Sequence, residues 1–171
     1  VVVLVTCFVA VRTVISLQGY LLGDDFAVRY RAASQGWSLQ YAFEPYNDHI
    51  SPIGYSLQWV LQWAFPGSHI ALVLSTSVLM AITLSFAAGF AWVLTGRLLA
   101  VAITTVTLGF GLLTFEVATW WCVSLYSMTY LAFVALALWG LVRTLRFGTP
   151  AGLILVGVIG ASLSDSKGFL A

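Results

Sequence analysis

Four long runs of uncharged, mostly apolar residues fill the chain from residue 70 onward. Residues 70–96, 98–115, 117–142 and 147–164 contain no Asp, Glu, Lys or Arg, and these runs are 27, 18, 26 and 18 positions long. A bilayer core of about 30 Å is crossed by roughly 20 helical residues. Because the runs are continuously apolar and do not alternate, they predict membrane-spanning helices rather than the strands of a barrel.

An earlier apolar stretch, residues 1–22, predicts a further span, although Arg12 interrupts it. A charged residue at this depth is expected to snorkel to the surface or to face protein. The pattern therefore predicts an all-α, polytopic transmembrane helix bundle of about five spans, with residues 1–171 forming one transmembrane domain. The first span is followed by an exoplasmic loop at 23–68, and spans two to five occupy 69–171, at about 69–95, 98–118, 123–142 and 150–168.

The composition supports a chain that faces lipid. Hydrophobic residues make up 61% of the chain, charged residues 8%, and the mean hydropathy is +1.00. A soluble domain has about 25% charged residues. The net charge of +1 excludes a nucleic-acid-binding module, and the apolar content excludes a disordered chain. Two cysteines, Cys7 and Cys122, provide neither a disulfide framework nor a metal cluster.

The charges also predict an orientation. When the five spans alternate in direction, Arg97, Arg143 and Arg146 fall on one side of the membrane and all six acidic residues fall on the other. The positive-inside rule makes the arginine side cytoplasmic and the acidic side exoplasmic. We therefore expect an integral membrane protein whose chemistry lies at the exoplasmic face. The chain starts at Val1 without a Met and ends at Ala171 without a polar tail, so we expect a fragment of a longer membrane protein.

The first loop differs from the other connections. Residues 24–49 hold six of the 13 charged residues and one of the two histidines, together with six aromatic residues. Long loops on a compact scaffold are usually functional or disordered, and the aromatic content favours a folded loop. We expect one short helix from Asp24 or Asp25 to about Gln35, an irregular segment at 37–50, and a second helix capped by Ser51 that runs to about Phe65.

This second helix has the pattern of an interfacial helix. Gln58 and Gln62 share one of its faces, and Trp59 and Trp63 are four residues apart. Tryptophan is enriched at the level of the lipid headgroups. The loop is therefore expected to form two juxtamembrane helices on the exoplasmic side.

The adjacent acids Asp24 and Asp25 form the first candidate site. Two neighbouring carboxylates repel each other, which makes one of them a stronger general base. The pair is also able to hold a divalent cation. The alternative is structural, with one Asp capping a helix and Asp25 pairing with Arg29 four residues later.

The second candidate site is Asn47-Asp48-His49, which lies just before a helix N-terminus, a position that attracts phosphate. The alternative is an Asx turn with a solvated His49.

Two further candidate sites lie at the exoplasmic ends of later spans. Glu116, Trp120 and Trp121 combine an acid inside a span with aromatic faces on which sugar rings stack, although the two Trp residues also fit an aromatic belt. At the end of span five, Asp165-Ser166-Lys167 either forms a local ion pair or offers Lys167 to a phosphate group.

Two stretches of the sequence resemble those of GT-C-fold integral membrane glycosyltransferases. They are Gly23-Asp24-Asp25-Phe26 after the first span and the run Tyr46-Asn47-Asp48-His49-Ile50-Ser51-Pro52 in the loop. The resemblance extends over the whole chain, as the amino-terminal half of such an enzyme. It is greatest to actinobacterial-type members and to the group of mannosyl-, arabinosyl- and aminoarabinose-transferases.

The resemblance implies an enzyme in a bacterial plasma membrane. Such enzymes transfer a sugar, with inversion, from a polyprenyl-phosphate donor to a glycan, lipid or protein acceptor on the exoplasmic side. An Asp of the first loop serves as the general base, or in some members helps to bind a divalent metal ion. In this chain that role falls to Asp24 or Asp25, with a slight preference for Asp25. Asp48 and His49 are then near the acceptor or the donor phosphate, and Trp120, Trp121 and Lys167 line the donor cavity. Glu116 is expected to bind substrate as well.

Two rival hypotheses belong to other functional classes. A transporter or channel subunit requires ionisable residues or broken helices in mid-membrane, where the sequence has only Arg12, Gly109 and Gly111. A non-catalytic assembly subunit requires only that the loop bind a partner protein, and it tolerates neutralisation of Asp24 and Asp25.

Overall fold

The computed structural model describes residues 2–19, 21, 23–46, 49–111 and 121–165. Regular structure in these residues is helical, apart from one isolated bridge between Tyr46 and His49. The helices are α1 Val2–Leu17, α2 Gly23–Ser34, α3 Leu39–Phe43, α4 Pro52–Ala64, α5 His69–Thr95, α6 Leu98–Phe110, α7 Trp121–Phe147 and α8 Gly152–Ser164.

Two of these helices, α5 and α7, are long and apolar enough to cross a membrane by length and composition. Each has 27 residues, whereas the apolar helices α1, α6 and α8 have 16, 13 and 13. The all-α prediction is therefore confirmed in the described residues, and two of the five predicted spans reach spanning length there. The predicted limits of spans one, three and five include positions 1, 20, 22, 112–118 and 166–168, which lie outside the described residues.

The long helix α7 packs between α5 and α8. Glycine residues of α8 allow α7 and α8 to approach each other closely. A β-carbon placed on Gly157 of α8 would lie 2.6 Å from the backbone nitrogen of Ala137, and one on Gly160 would overlap the ring of Phe133. Helices in lipid associate through such small residues, because lipid tails are as apolar as the side chains and packing must provide the attraction.

Arg12 is buried and faces protein, which is one of the two positions expected for it. Its Nε and Nη2 donate to the carbonyl oxygen of Gly109, at 3.1 and 2.9 Å, near the end of α6. Carbonyl groups in the last turn of a helix have no acceptor role within the helix, and a cation there also interacts favourably with the helix dipole. Next to Arg12, the hydroxyl oxygens of Thr13 and Ser77 are 2.7 Å apart and join α1 to α5.

The loop contains the two expected helices and one more. The helix α2 begins at Gly23, so Asp24 and Asp25 lie inside its first turn rather than at the cap. The expectation that residues 37–50 are irregular was wrong, because Ser38 accepts a hydrogen bond from the amide of Tyr41 and thereby caps α3. Ser51 precedes α4 as expected, but it makes no side-chain capping bond.

With the exception of Arg12, the charged side chains of the described residues lie toward the two ends of the bundle. Asp24, Asp25, Glu44 and Asp165 lie at the end where α5 and α7 begin and α8 ends. Arg97, Arg143 and Arg146 lie at the opposite end, where Arg146 donates to the carbonyl oxygen of Leu94. This separation follows the expected pattern, and the assignment of each end to a membrane face stays a prediction.

The contact between α7 and α8 provides a test of the packing. Gly157→Ala should lower the free energy of unfolding by about 1–3 kcal/mol, because the added methyl group overlaps the backbone of α7. Gly152→Ala is the matched control, since nothing lies within 4 Å of its β-carbon position. Thermal unfolding of both variants in the same detergent measures the difference, and equal melting temperatures would contradict this packing.

Candidate functional site

Asp25 attaches the loop to the bundle. Its side chain is 1% exposed, and Oδ1 accepts a hydrogen bond of 2.8 Å from the backbone amide of Cys122. Cys122 is the second residue of α7, and the first amides of a helix have no acceptor within it. A carboxylate at this position also interacts favourably with the positive end of the helix dipole. Asp25 therefore acts as a cap that α2 provides to α7.

A second side chain of the loop binds the same residue of α7. Gln58 of α4 is 1% exposed, and its Nε2 donates to the carbonyl oxygen of Cys122 at 3.2 Å. Around these bonds Val28, Leu72 and Leu125 form an apolar core with Cys122. Polar bonds and apolar burial together fix α2 and α4 against the start of α7.

Trp121 is placed differently from the expectation. The side chain is 6% exposed and belongs to the same core as Val28 and Leu72. Its ring is thus covered by protein and offers no open face on which a sugar can stack. The indole N–H has no hydrogen-bond partner within the described residues.

Asp24 is on a different side of α2 and is partly exposed. Its Oδ1 accepts a hydrogen bond of 3.4 Å from the hydroxyl group of Tyr46. Burial, and then the negative charge of Asp24, raise the pKa of the Tyr46 hydroxyl. Tyr46 therefore keeps its proton at neutral pH and remains a donor to the carboxylate.

His49 joins the loop to the residue that follows α8. Its Nδ1 is 3.4 Å from Oδ1 of Asp165, and since an ionised carboxylate only accepts hydrogen bonds, Nδ1 is the donor. The ring stacks on Tyr126 of α7, with centroids 5.3 Å apart. The carbonyl oxygen of His49 accepts a hydrogen bond of 2.7 Å from Tyr55, whose pKa burial raises to about 12. These contacts hold the ring through Nδ1 and one face, and Nε2 has no hydrogen bond to the residues that the structure describes.

The backbone groups of Tyr46 and His49 also bond each other, so that these contacts connect a set of residues that we call the polar site: Asp24, Tyr46, His49, Tyr126 and Asp165. The structure thus connects described residues from three of the predicted sites. They are Asp24 of the acidic pair, His49 of the second site and Asp165 at the end of α8. The predicted residues Asp48, Glu116, Trp120 and Lys167 lie outside the described residues.

Tyr46, Tyr126 and Gln58 were not singled out as site residues by the sequence analysis. Tyr46 begins the run Tyr46–Pro52 that resembles the glycosyltransferases, and this was a weak signal that it belongs to a site. Tyr126 and Gln58 sit within apolar helical stretches, where nothing in the sequence separates a site residue from a core residue. Only the packing of the loop against α7 and α8 identifies them.

The structural alternative for Asp25 is partly realised. The carboxylate caps a helix, but it caps α7 instead of its own helix. Arg29 forms no ion pair with Asp25 in the part of the chain that the structure describes, since its Nε donates to Oε1 of Gln62 at 3.2 Å. No group of three or more His, Cys, Asp or Glu side chains among the described residues is placed to hold a metal ion.

No protein-family model, curated protein or solved structure matches the chain. The geometry of the polar site and the pattern of the sequence are therefore the grounds for any functional conclusion.

The capping role of Asp25 predicts a loss of stability. Asp25→Ala should lower the free energy of unfolding by about 1–3 kcal/mol, because it leaves the buried amide of Cys122 without an acceptor. Asp25→Asn keeps an oxygen acceptor and should lose less. Asp24→Ala serves as the control, as it removes only the longer bond from Tyr46. If Asp24→Ala melts at a lower temperature than Asp25→Ala, the capping role is refuted.

Proposed function

We propose that the chain is part of a membrane glycosyltransferase of the GT-C type, which transfers a sugar from a polyprenyl-phosphate donor to an exoplasmic acceptor. The observation that carries this proposal is the polar site. A partly exposed carboxylate, Asp24, accepts a hydrogen bond from Tyr46, and the backbone of Tyr46 pairs with that of His49, which Asp165 holds at one end of the bundle. A lipid-linked phosphate keeps its chain in the hydrocarbon and its phosphate at the interface, so both substrates meet at such a place.

The geometry favours Asp24 over Asp25 as the general base. A base must come within hydrogen-bond distance of the proton that it removes. Asp25 is 1% exposed and one of its oxygens is bound to the amide of Cys122, whereas Asp24 is partly exposed. We therefore assign proton removal to Asp24 and positioning of the loop to Asp25, which reverses the slight preference drawn from the sequence.

His49 is the group best placed to interact with the donor phosphate. Its Nδ1 donates to Asp165, which orients the ring and directs Nε2 away from that carboxylate. In the imidazolium form, in which both ring nitrogens carry a proton, Nε2–H donates to a phosphate oxygen and stabilises the negative charge that develops on the leaving group. Stacking on Tyr126 fixes the plane of the ring, so little reorganisation accompanies the reaction.

The reaction then follows from these positions. Asp24 takes the proton of the acceptor hydroxyl while the oxygen of that hydroxyl forms a bond to the anomeric carbon. The bond from that carbon to the phosphate oxygen breaks on the opposite side, and its electron pair leaves with the polyprenyl phosphate. Attack from the opposite side inverts the anomeric configuration. Phosphate is a good leaving group, so positioning and one base provide much of the catalysis.

The membrane arrangement in this proposal has about five spans. The helices α5 and α7 have spanning length, and the apolar helices α1, α6 and α8 supply the other three. The end with Arg97, Arg143 and Arg146 is cytoplasmic, and the polar site is exoplasmic. The partners are membrane lipid, the polyprenyl-phosphate sugar and an exoplasmic glycan, lipid or protein, in a bacterial plasma membrane.

The interiors of α5 and α7 favour a transferase over a transporter. From Ile70 to Thr95 and from Trp121 to Val142 these helices contain no Asp, Glu, Lys, Arg or His. Transport sites near the bilayer midplane use ionisable side chains or broken helices. The one charged side chain deep in the described bundle, Arg12, is bound to the carbonyl oxygen of Gly109.

Asp24→Asn tests the assignment of the base. The amide cannot accept the proton, so sugar transfer from a polyprenyl-phosphate donor should fall by about 10²- to 10⁴-fold. The melting temperature should change little, because Asp24 is partly exposed and accepts one long hydrogen bond. Transfer of radiolabelled sugar in membranes containing the complete protein measures the rate.

Glu44→Gln is the matched control for this experiment. Glu44 is an exposed carboxylate of the same loop, and it pairs with Arg31 at 3.1 Å. The control variant should retain its turnover. Full activity of Asp24→Asn would eliminate the proposed mechanism and leave the loop as a docking element of a non-catalytic subunit.

The orientation is tested by cysteine labelling in intact cells. In a Cys7→Ser background, Ser38→Cys should react with a membrane-impermeant maleimide from outside, because Ser38 is exposed at the start of α3. Phe147→Cys, at the other end of the bundle, should react only after the cells are opened. The opposite pattern of labelling would place the polar site in the cytoplasm.

A further inference from the structure

A cleft separate from the polar site lies between the C-terminal end of α2 and the exposed side of α4. It has a volume of about 430 Å³ and is at the end of α2 opposite Asp24. Trp59, Gln62 and Trp63 of α4 form one wall, and Ala33 and Ser34 of α2 belong to the other. None of these residues belongs to the polar site.

The two aromatic rings of this wall stack on each other. The rings of Trp59 and Trp63 are 6.3 Å apart and within 5° of parallel. The indole N–H of Trp59 donates to the carbonyl oxygen of Gln35 at 3.0 Å, which fixes that ring. Trp63 is 75% exposed, so a large aromatic face is open to a ligand.

The polar groups of the cleft are mostly acceptors. The helix α2 ends at Ser34, and the carbonyl groups of Ala32, Ala33 and Ser34 accept no hydrogen bond in the part of the chain that the structure describes. Gln62 provides the donor, because its Oε1 is occupied by Arg29 and its Nε2 is left for a ligand. The lining residues of the described chain are all uncharged.

We propose that this cleft binds a neutral saccharide ring. The C–H face of a sugar packs on an aromatic plane, and its hydroxyl groups donate to the carbonyls of α2 and accept from Gln62. The partial negative charge at the C-terminus of α2 disfavours an anionic ligand. Parallel rings also lack the walls of the aromatic cage that encloses a quaternary ammonium group.

The chemistry of α4 separates this cleft from a lipid-facing surface. Another side of the helix presents Ile53, Leu57 and Val60, next to Leu39 and Phe43, and forms an almost wholly apolar groove. That side suits lipid. The unsatisfied carbonyls of the cleft are costly in hydrocarbon, which favours a hydroxyl-rich ligand there.

Binding is measured without turnover, so the result does not depend on sugar transfer at the polar site. The full chain in nanodiscs is titrated with neutral tetrasaccharides of glucose, mannose or galactose, followed by saturation-transfer NMR. A second arm uses nanodiscs that contain monoglucosyl diacylglycerol and distinguishes a glycolipid headgroup from a free glycan. At least one of these probes should bind, with saturation of its C–H protons.

Trp63→Ala should weaken the binding about tenfold, and Trp63→Tyr should restore part of it. Trp37→Ala is the matched control, because Trp37 is an exposed tryptophan of the same loop but lines the apolar groove on α4. The proposal is overturned if no probe binds or if Trp37→Ala loses as much as Trp63→Ala. It is also overturned if a spin label at position 63 is accessible to oxygen in the acyl region and not to a water-soluble relaxant.

Discussion

The hydrogen bond from the amide of Cys122 to Asp25 determines where the loop lies on the bundle. It buries one carboxylate of an adjacent pair, and because consecutive residues of a helix are about 100° apart, the other carboxylate turns toward the surface. The same bond brings α2 to the start of α7, where Gln58 fixes α4 against the same residue. The structural role of Asp25 and the chemical role that we propose for Asp24 both depend on this one contact.

The remainder of the polar site depends on how α7 and α8 pack within the bundle, away from the site itself. Gly157 and Gly160 allow α8 to approach α7 closely, and the direction of α8 then brings Asp165 to His49. The hydroxyl of Ser51, at the start of α4, donates to the carbonyl oxygen of Ser164 and joins the loop to the end of the same helix. Small residues inside the apolar bundle therefore set the geometry of charged groups at its end.

The loop also divides its surfaces between different environments. One side of α2 and α4 is buried on α7, another side of α4 is apolar, and the cleft near Trp63 has free carbonyl groups and amide nitrogen. Such a division suits a chain at the boundary between water and lipid, because each surface meets the solvent that solvates it. A bound saccharide near Trp63 and a transfer reaction at Asp24 would occupy separate ends of α2.

The sequence by itself determined the helical class, the long apolar helices and the positions of α2 and α4, because charge-free runs and helix caps are local signals. It also indicated that acids and His49 belong to one end. It did not predict α3, whose cap at Ser38 is a weak signal, and it expected an open face at Trp121, which the fold buries. Only tertiary packing decided which of Asp24 and Asp25 is buried, and which side chains, Tyr126 and Asp165, contact His49. Burial and partners depend on which helices meet, and no local pattern encodes that.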